Sequence, residues 1–277
     1  MTEPRYPRLL SIAGSDSGGG AGIQADLKTF AALGCYGMTA VTAITVQNTV
    51  GVQAIHAVPP EILAGQIDAV LGDIGADAVK IGMLHAPAIV DVVARALDAQ
   101  AGPHGAAHVV LDPVMVAASG DRLIEQETVE HLVRRLFPRA ALVTPNLDEA
   151  ALLLGRPIAG VDELDAAAQA LRALGARAVL LKGGHLPGDT VVDVLATPDG
   201  LRRFEAPRID TRNLHGAGCT LSSAIAAHLA LGASLAEAVA AGRGYTLAAL
   251  QAGASVRTGH GRGPLNHGFA PLALKAR

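Results

Sequence analysis

Gly216-Ala217-Gly218-Cys219 stands at the head of an apolar run, residues 217–231, that reads as a helix. Glycine lets the backbone turn tightly. The start of a helix leaves several N–H groups without partners and adds a partial positive charge from the helix dipole. Such a turn holds a phosphate without any basic side chain. Cys219 falls in the first turn. There it is either a reactive thiol with a lowered pKa, serving as base or nucleophile, or a small buried apolar residue, and the loop alone leaves both readings open.

A second set of chemistry-bearing residues follows short apolar runs. It comprises Gly14, Gln47, Met83, Asp112-Pro113-Val114, Thr144-Pro145-Asn146 with Glu149, and Lys182. Asp112 and Glu149 suit a magnesium ion, directly or through water, and Lys182 suits a phosphate, which are the parts that phosphoryl transfer needs. Each has a structural alternative. Asp112 precedes a proline and can cap a turn, Glu149 can be a first-turn carboxylate, and Lys182 can be a solvated charge. Asp26, early in a helix, reads by itself as a surface residue that favours the dipole. The shared position of the others after strands favours function.

The elements that must position these residues alternate along the chain. A strand over 8–14, a glycine-rich turn and a helix over 21–33 open it, followed by strand-like stretches at 38–47 and 52–58. Helices are expected over 60–73, 88–99, 126–137, 147–154 and 162–174, with strands at 78–82, 108–111, 141–143 and 178–181 between them. Thr197-Pro198-Asp199-Gly200 separates two more strands, 190–196 and 201–204, as a hairpin. Helices over 217–231 and 235–250 follow. The alternation predicts one domain over 1–277, a mostly parallel sheet with helices on both faces and an antiparallel margin. In such sheets ligands bind beyond the carboxyl ends of the strands, where the second set lies. Gly20 to Ala25 fits a loose dinucleotide pattern, but no acidic residue follows Asp26 before Glu61, so a ribose partner is missing.

Composition excludes several classes. A net charge of -3 and seven aromatic residues without tryptophan argue against nucleic acid. No apolar run approaches the roughly 20 residues of a membrane span, and the start of the chain lacks a signal pattern. Cys35 and Cys219, far apart in sequence, read as thiols outside any disulfide framework. A cytoplasmic enzyme is expected.

Several blocks together resemble one family, the bacterial hydroxymethylpyrimidine and phosphomethylpyrimidine kinases of thiamine biosynthesis, in the ribokinase-like superfamily. They are residues 12–28, 43–49, 80–84, 111–115, 144–146, 181–185 and 216–222. The resemblance spans nearly the whole chain. It implies a three-layer αβα ribokinase-like fold, a homodimer, and ATP with Mg²⁺. It implies a pyrimidine held by Gly14, Ala21, Asp26, Gln47, Met83, Val114 and Cys219. It further implies that Asn146 and Glu149 form an N-x-x-E element controlling magnesium and phosphate, and that Lys182 contacts ATP phosphates. Gly216, Ala217 and Gly218 then stabilise the transferring group through backbone amides, and Cys219 accepts or orients the hydroxyl proton. Leu214 and Ala217 stand where family members commonly carry threonine, and Ala118 replaces a commonly basic residue, so modest effects on nucleotide affinity are expected. The implied reaction phosphorylates the pyrimidine and then its monophosphate. A pyridoxal kinase of the same branch and a non-catalytic pyrimidine sensor are the rivals; the carboxylates, Lys182 and the anion loop weigh against the sensor.

Overall fold

The computed structural model describes residues 4–99, 108–116 and 124–276. In chain order its elements are β1 (Arg8–Asp16), α1 (Gly22–Ala32), β2 (Tyr36–Gln47), β3 (Val52–Ala57), α2 (Pro60–Asp73), β4 (Ala78–Ile81), α3 (Pro87–Ala99) and β5 (His108–Leu111). There follow α4 (Gln126–Leu136), β6 (Leu142–Val143), α5 (Leu147–Leu154), α6 (Leu164–Ala173), β7 (Val179–Lys182), β8 (Thr190–Thr197), β9 (Gly200–Pro207), α7 (Ala217–Ala230) and α8 (Leu235–Gly253). The described residues form a nine-stranded sheet in the order β3-β2-β1-β4-β5-β6-β7-β8-β9. Pairing is parallel from β2 through β7, while β3 joins one edge and β8 and β9 the other in antiparallel fashion.

The central strands are short apolar runs because both of their faces are covered. Leu10, Ile12, Val109, Leu111, Val179 and Leu181 point into one core with α2 to α6. Their neighbours Leu9, Val110 and Leu180 point into the other, with α1, α7 and α8. That period-2 division is the expected three-layer arrangement. Among the boundaries that differ from expectation, two stand out. β1 runs on to Asp16, because Ser15 and Asp16 pair with Ile44 and Thr45 after an irregularity at Ala13 to Ser15. β9 likewise continues to Pro207, opposite Thr190, so the hairpin arms match in length.

Both consequences matter for the site. All parallel strands point their carboxyl ends to one edge, and α7 packs on β5, β4, β1 and α1 with its N-terminus over that edge. Gly216 caps α7 in the left-handed conformation, with φ at 86°. A Cβ there would also lie 1.9 Å from the carbonyl oxygen of Gly20, so this position admits only glycine. The close approach sets the loop before α7 against the turn between β1 and α1.

Candidate active site

Lys182, the last residue of β7, and Asp112, the first residue after β5, meet beneath α7. Lys182 Nζ donates to Asp112 Oδ1 at 2.9 Å, and Thr144 Oγ1, following β6, donates to the same oxygen at 3.1 Å. Ser222 of α7 reaches Asp112 Oδ2 at 3.4 Å. A Cβ on Gly218 would stand 3.2 Å from Lys182 Nζ and 3.6 Å from Asp112 Oδ2, so the pair lies directly under the loop. Burial works against both charges, yet their attraction prevails: Asp112 is held below the ordinary carboxylate value and Lys182 above the ordinary lysine value.

Glu149 belongs to the same cluster and also keeps its structural role. Asn146 accepts the Glu149 N–H at 2.9 Å and Glu149 Oε2 accepts the Asn146 N–H at 2.8 Å, a reciprocal cap on α5. Burial lifts the Glu149 carboxyl to about 7; Lys182 opposes the rise and Asp112 adds to it. Asn146 bridges to β7 at Lys182, whose N–H donates to the Pro145 carbonyl. Asp112, Glu149, Asn146 and Lys182 are therefore one unit, as the sequence led us to expect.

On the other side, Asp16 ties the β1–α1 turn together. Its carboxylate accepts the N–H groups of Gly18, Gly20 and Ala21 at 2.7–3.0 Å, and His215 Nε2 at 2.8 Å. Burial opposes its charge, but the His215 contact and the Ala21 and Gly18 amides outweigh it and hold Asp16 below the ordinary value. The carboxylate can only accept, so His215 Nε2 carries a proton. Gln47 Nε2, 3.5 Å from that nitrogen, faces another donor, which leaves its NH₂ for an acceptor on a ligand. Gly14 sits against Met83: a Cβ there would fall 2.8 Å from the methionine methyl carbon. Ala21 and Val114 are half-buried. Asp16 and His215 were missed as site residues; an aspartate two positions before a glycine turn was the available signal.

Three expectations need correction. Asp26 is neither at the surface nor open to a pocket: its side chain is fully buried and both oxygens are engaged by Ser11, Lys80 and Ser223. Cys219 is not an acidified thiol. Although the Gly22 N–H and Lys80 favour its charge, burial dominates, with Asp26 and Asp112 adding to it, and the thiol is pushed up to about 11. The Ala217 N–H is turned back to the Leu214 carbonyl at 3.1 Å, so Gly218 and Cys219 carry the outward amides of the first turn. Leu214 is exposed, and Ala118 lies outside the described residues.

With a pKa near 11, only about one Cys219 thiol in a hundred is ionised at pH 9. Iodoacetamide should therefore alkylate Cys219 slowly from pH 7 to 9, with a rate still climbing at pH 10; a plateau below pH 8 would contradict the burial argument. Gly218→Ala should lower kcat about 10-fold by displacing Lys182 a few tenths of an ångström, while the melting temperature holds, since alanine is better than glycine in a helix by about 1 kcal/mol. Steady-state kinetics beside a thermal melt separates the two effects.

A family model described as phosphomethylpyrimidine kinase matches residues 16–266. The chain belongs to that family. It is 53% identical to the hydroxymethylpyrimidine/phosphomethylpyrimidine kinase of Rhizobium meliloti, over 93% of this chain and 96% of the relative. To the Escherichia coli enzyme of the same description it is 46% identical, over 93% and 96%. Among solved structures, phosphomethylpyrimidine kinase from Clostridium difficile superposes with a TM-score of 0.76 at 42% identity, covering 88% of this chain and 99% of that one. An ADP complex of Bacillus subtilis pyridoxal kinase superposes with a TM-score of 0.86 at 38% identity, covering 95% and 98%. The expected ribokinase-like fold, the family and the enzyme class are borne out. So is the two-step phosphorylation of thiamine biosynthesis, with pyridoxal kinase only the alternative. In this family member the Lys182–Asp112 cluster also holds the hydroxyl of Thr144, a strand-end residue expected from the sequence, and that of Ser222, which was not singled out there.

Proposed function

We propose that this chain transfers the γ-phosphoryl group of ATP in line to the hydroxymethyl oxygen of the aminopyrimidine, and then a second group to the phosphate of the product, with the residues above in defined roles. One observation carries the assignment of roles: the Lys182–Asp112 pair lies under Gly218, where a phosphoryl group on the outward amides of Gly218 and Cys219 would meet the ammonium. Gln47 supplies a donor to the pyrimidine edge, and Gly14, Ala21, Met83 and Val114 form its apolar and backbone walls. Cys219, neutral near pH 7, orients the hydroxyl as a hydrogen-bonding partner and does not rest as a thiolate.

The donor set suits Mg²⁺. Asp112 and Glu149 are both buried and each raises the other's cost of ionisation, and no cluster of three or more metal-binding side chains occurs among the described residues. A Mg²⁺ that keeps waters and phosphate oxygens takes one or two carboxylates and no more. These two residues would hold it, and when bound it neutralises phosphate charge. A homodimer is supported by the ribbon of β2 and β3, where Ile44 and Val46 are 52% and 55% exposed on one face. No helix among the described residues is long and apolar enough to cross a membrane. Two reduced thiols suit the cytoplasm.

The test is incubation with Mg-ATP and hydroxymethylpyrimidine, with pyridoxal in parallel, and mass spectrometry of the products. Monophosphate followed by diphosphate is the expected result. Pyridoxal phosphate as the main product would transfer the chain to the pyridoxal branch, and no turnover of either would leave a binding protein.

A further inference from the structure

The buried ion pair of Asp26 and Lys80 has no place in the chemistry above, and it joins four elements at one point. Lys80 of β4 places Nζ 2.9 Å from both carboxylate oxygens of Asp26 in α1, and both side chains have zero exposure. Ser11 of β1 donates to Oδ2 at 2.5 Å, and Ser223 of α7 donates to Oδ1 at 2.7 Å. The carboxylate is thus saturated by two hydroxyls and an ammonium, with nothing left for a ligand.

The spacing of its partners ties this pair to the site. Ser223 lies one helical turn beyond Cys219 on α7, and Asp26 lies one turn beyond Gly22 on α1. Gly22 directs its N–H at the Cys219 sulfur. The two helices therefore meet in two layers, Gly22 with Cys219 above and Asp26 with Ser223 below. The adjacent residue, Ser222, faces the other Lys–Asp pair, its hydroxyl 3.4 Å from Asp112 Oδ2 and 3.0 Å from the Gly218 carbonyl of its own helix. Consecutive residues project about 100° apart around a helix. One tie leaves a helix able to roll about its axis, whereas two ties in different directions fix the roll.

We propose that Asp26 and Lys80, acting through Ser223, are positioning residues that set the roll of α7 and so aim the Cys219 sulfur and the Gly218 and Cys219 amides at the acceptor oxygen. All three side chains are fully buried. Their work is to keep the phosphoryl group directed at the pyrimidine hydroxyl and away from water. The inference rests on the kinase reading for its consequence, but its geometric core concerns Cys219 alone.

Ser223→Ala removes the tie and keeps the buried ion pair, so the fold is retained. Two quantities are read on wild type, Ser223→Ala and Ser223→Thr: the ratio of pyrimidine phosphate formed to ATP hydrolysed, and the rate of Cys219 alkylation by iodoacetamide at pH 9. In Ser223→Ala the ratio is expected to fall at least 5-fold with the KM for ATP within 2-fold of wild type, and the alkylation rate to change at least 3-fold. Ser223→Thr, which keeps the hydroxyl, restores both. A general loss of folded protein would lower transfer and hydrolysis together and leave the ratio unmoved. An unchanged ratio and alkylation rate in Ser223→Ala would overturn the inference. If the wild type phosphorylates no pyrimidine, the kinase reading fails, and the alkylation rates alone then decide whether the pair positions Cys219.

Discussion

Lys182→Met lowers kcat/KM for pyrimidine phosphorylation by on the order of 10²- to 10³-fold, the cost of removing a group that stabilises charge developing in the transition state. The loss falls mainly on kcat, because the outward amides of the α7 first turn still receive phosphate without a side chain. Two features make Lys182 the most sensitive position. Its ammonium is the cation in contact with Asp112, and it stands closest to where a Cβ of Gly218 would be. Methionine keeps the length and apolar stem, so packing under the loop persists. Lys182→Arg should recover little of the rate, since a planar fork cannot replace a point charge in a space bounded by Gly218, Thr144 and Ser222. Initial rates over a range of ATP concentrations test this, and a loss below 3-fold in kcat would place Lys182 outside the reacting centre.

Much of the scaffold was legible because strand cores such as Val109 to Leu111 and Val179 to Leu181 are short apolar runs of the kind that strands covered on both faces require. The residues after them converge for the same reason, so Asp112, Asn146, Glu149 and Lys182 could be assembled from spacing alone. What stayed hidden depends on depth and on partners distant in sequence. Asp26 looks like a surface carboxylate until Lys80, 54 residues later, is seen beside it. The signal was in β4: a lysine between Val79 and Ile81 is a charge inside a sheet, and a buried charge requires a partner. The Cys219 thiol stayed open in the sequence because its helix start argues for acidity, while burial and two nearby carboxylates, which only the fold brings together, oppose it. The continuation of β1 to Asp16 depends on pairing with β2, which no local pattern reveals.

Depth also governs the second large effect. Lys80→Met should destabilise the fold by about 3–5 kcal/mol, the usual cost of removing one partner from a buried pair and leaving the other charge uncompensated. The melting temperature should fall by roughly 10 °C, since about 1 kcal/mol corresponds to about 2–4 °C in a domain of this size class. Burial alone would lower the Lys80 pKa, but Asp26 outweighs it, with Cys219 and Asp112 adding to the effect, and the folded-state value is raised above that of the unfolded chain. A raised lysine contributes its stability fully below the unfolded value, near pH 10, and loses it only as pH rises through the folded one. The contribution of Lys80 to the wild type should therefore be undiminished from pH 6 to pH 9, while in Lys80→Met the stranded carboxylate can take up a proton as pH falls, so the deficit in denaturant titrations should be no larger at pH 6 than at pH 9. Adding Asp26→Leu removes the stranded carboxylate, so the double variant should be more stable than Lys80→Met alone, although Ser11 and Ser223 then lose their acceptor. A double variant no more stable than the single one would mean that lost packing, not the uncompensated Asp26 charge, sets the cost.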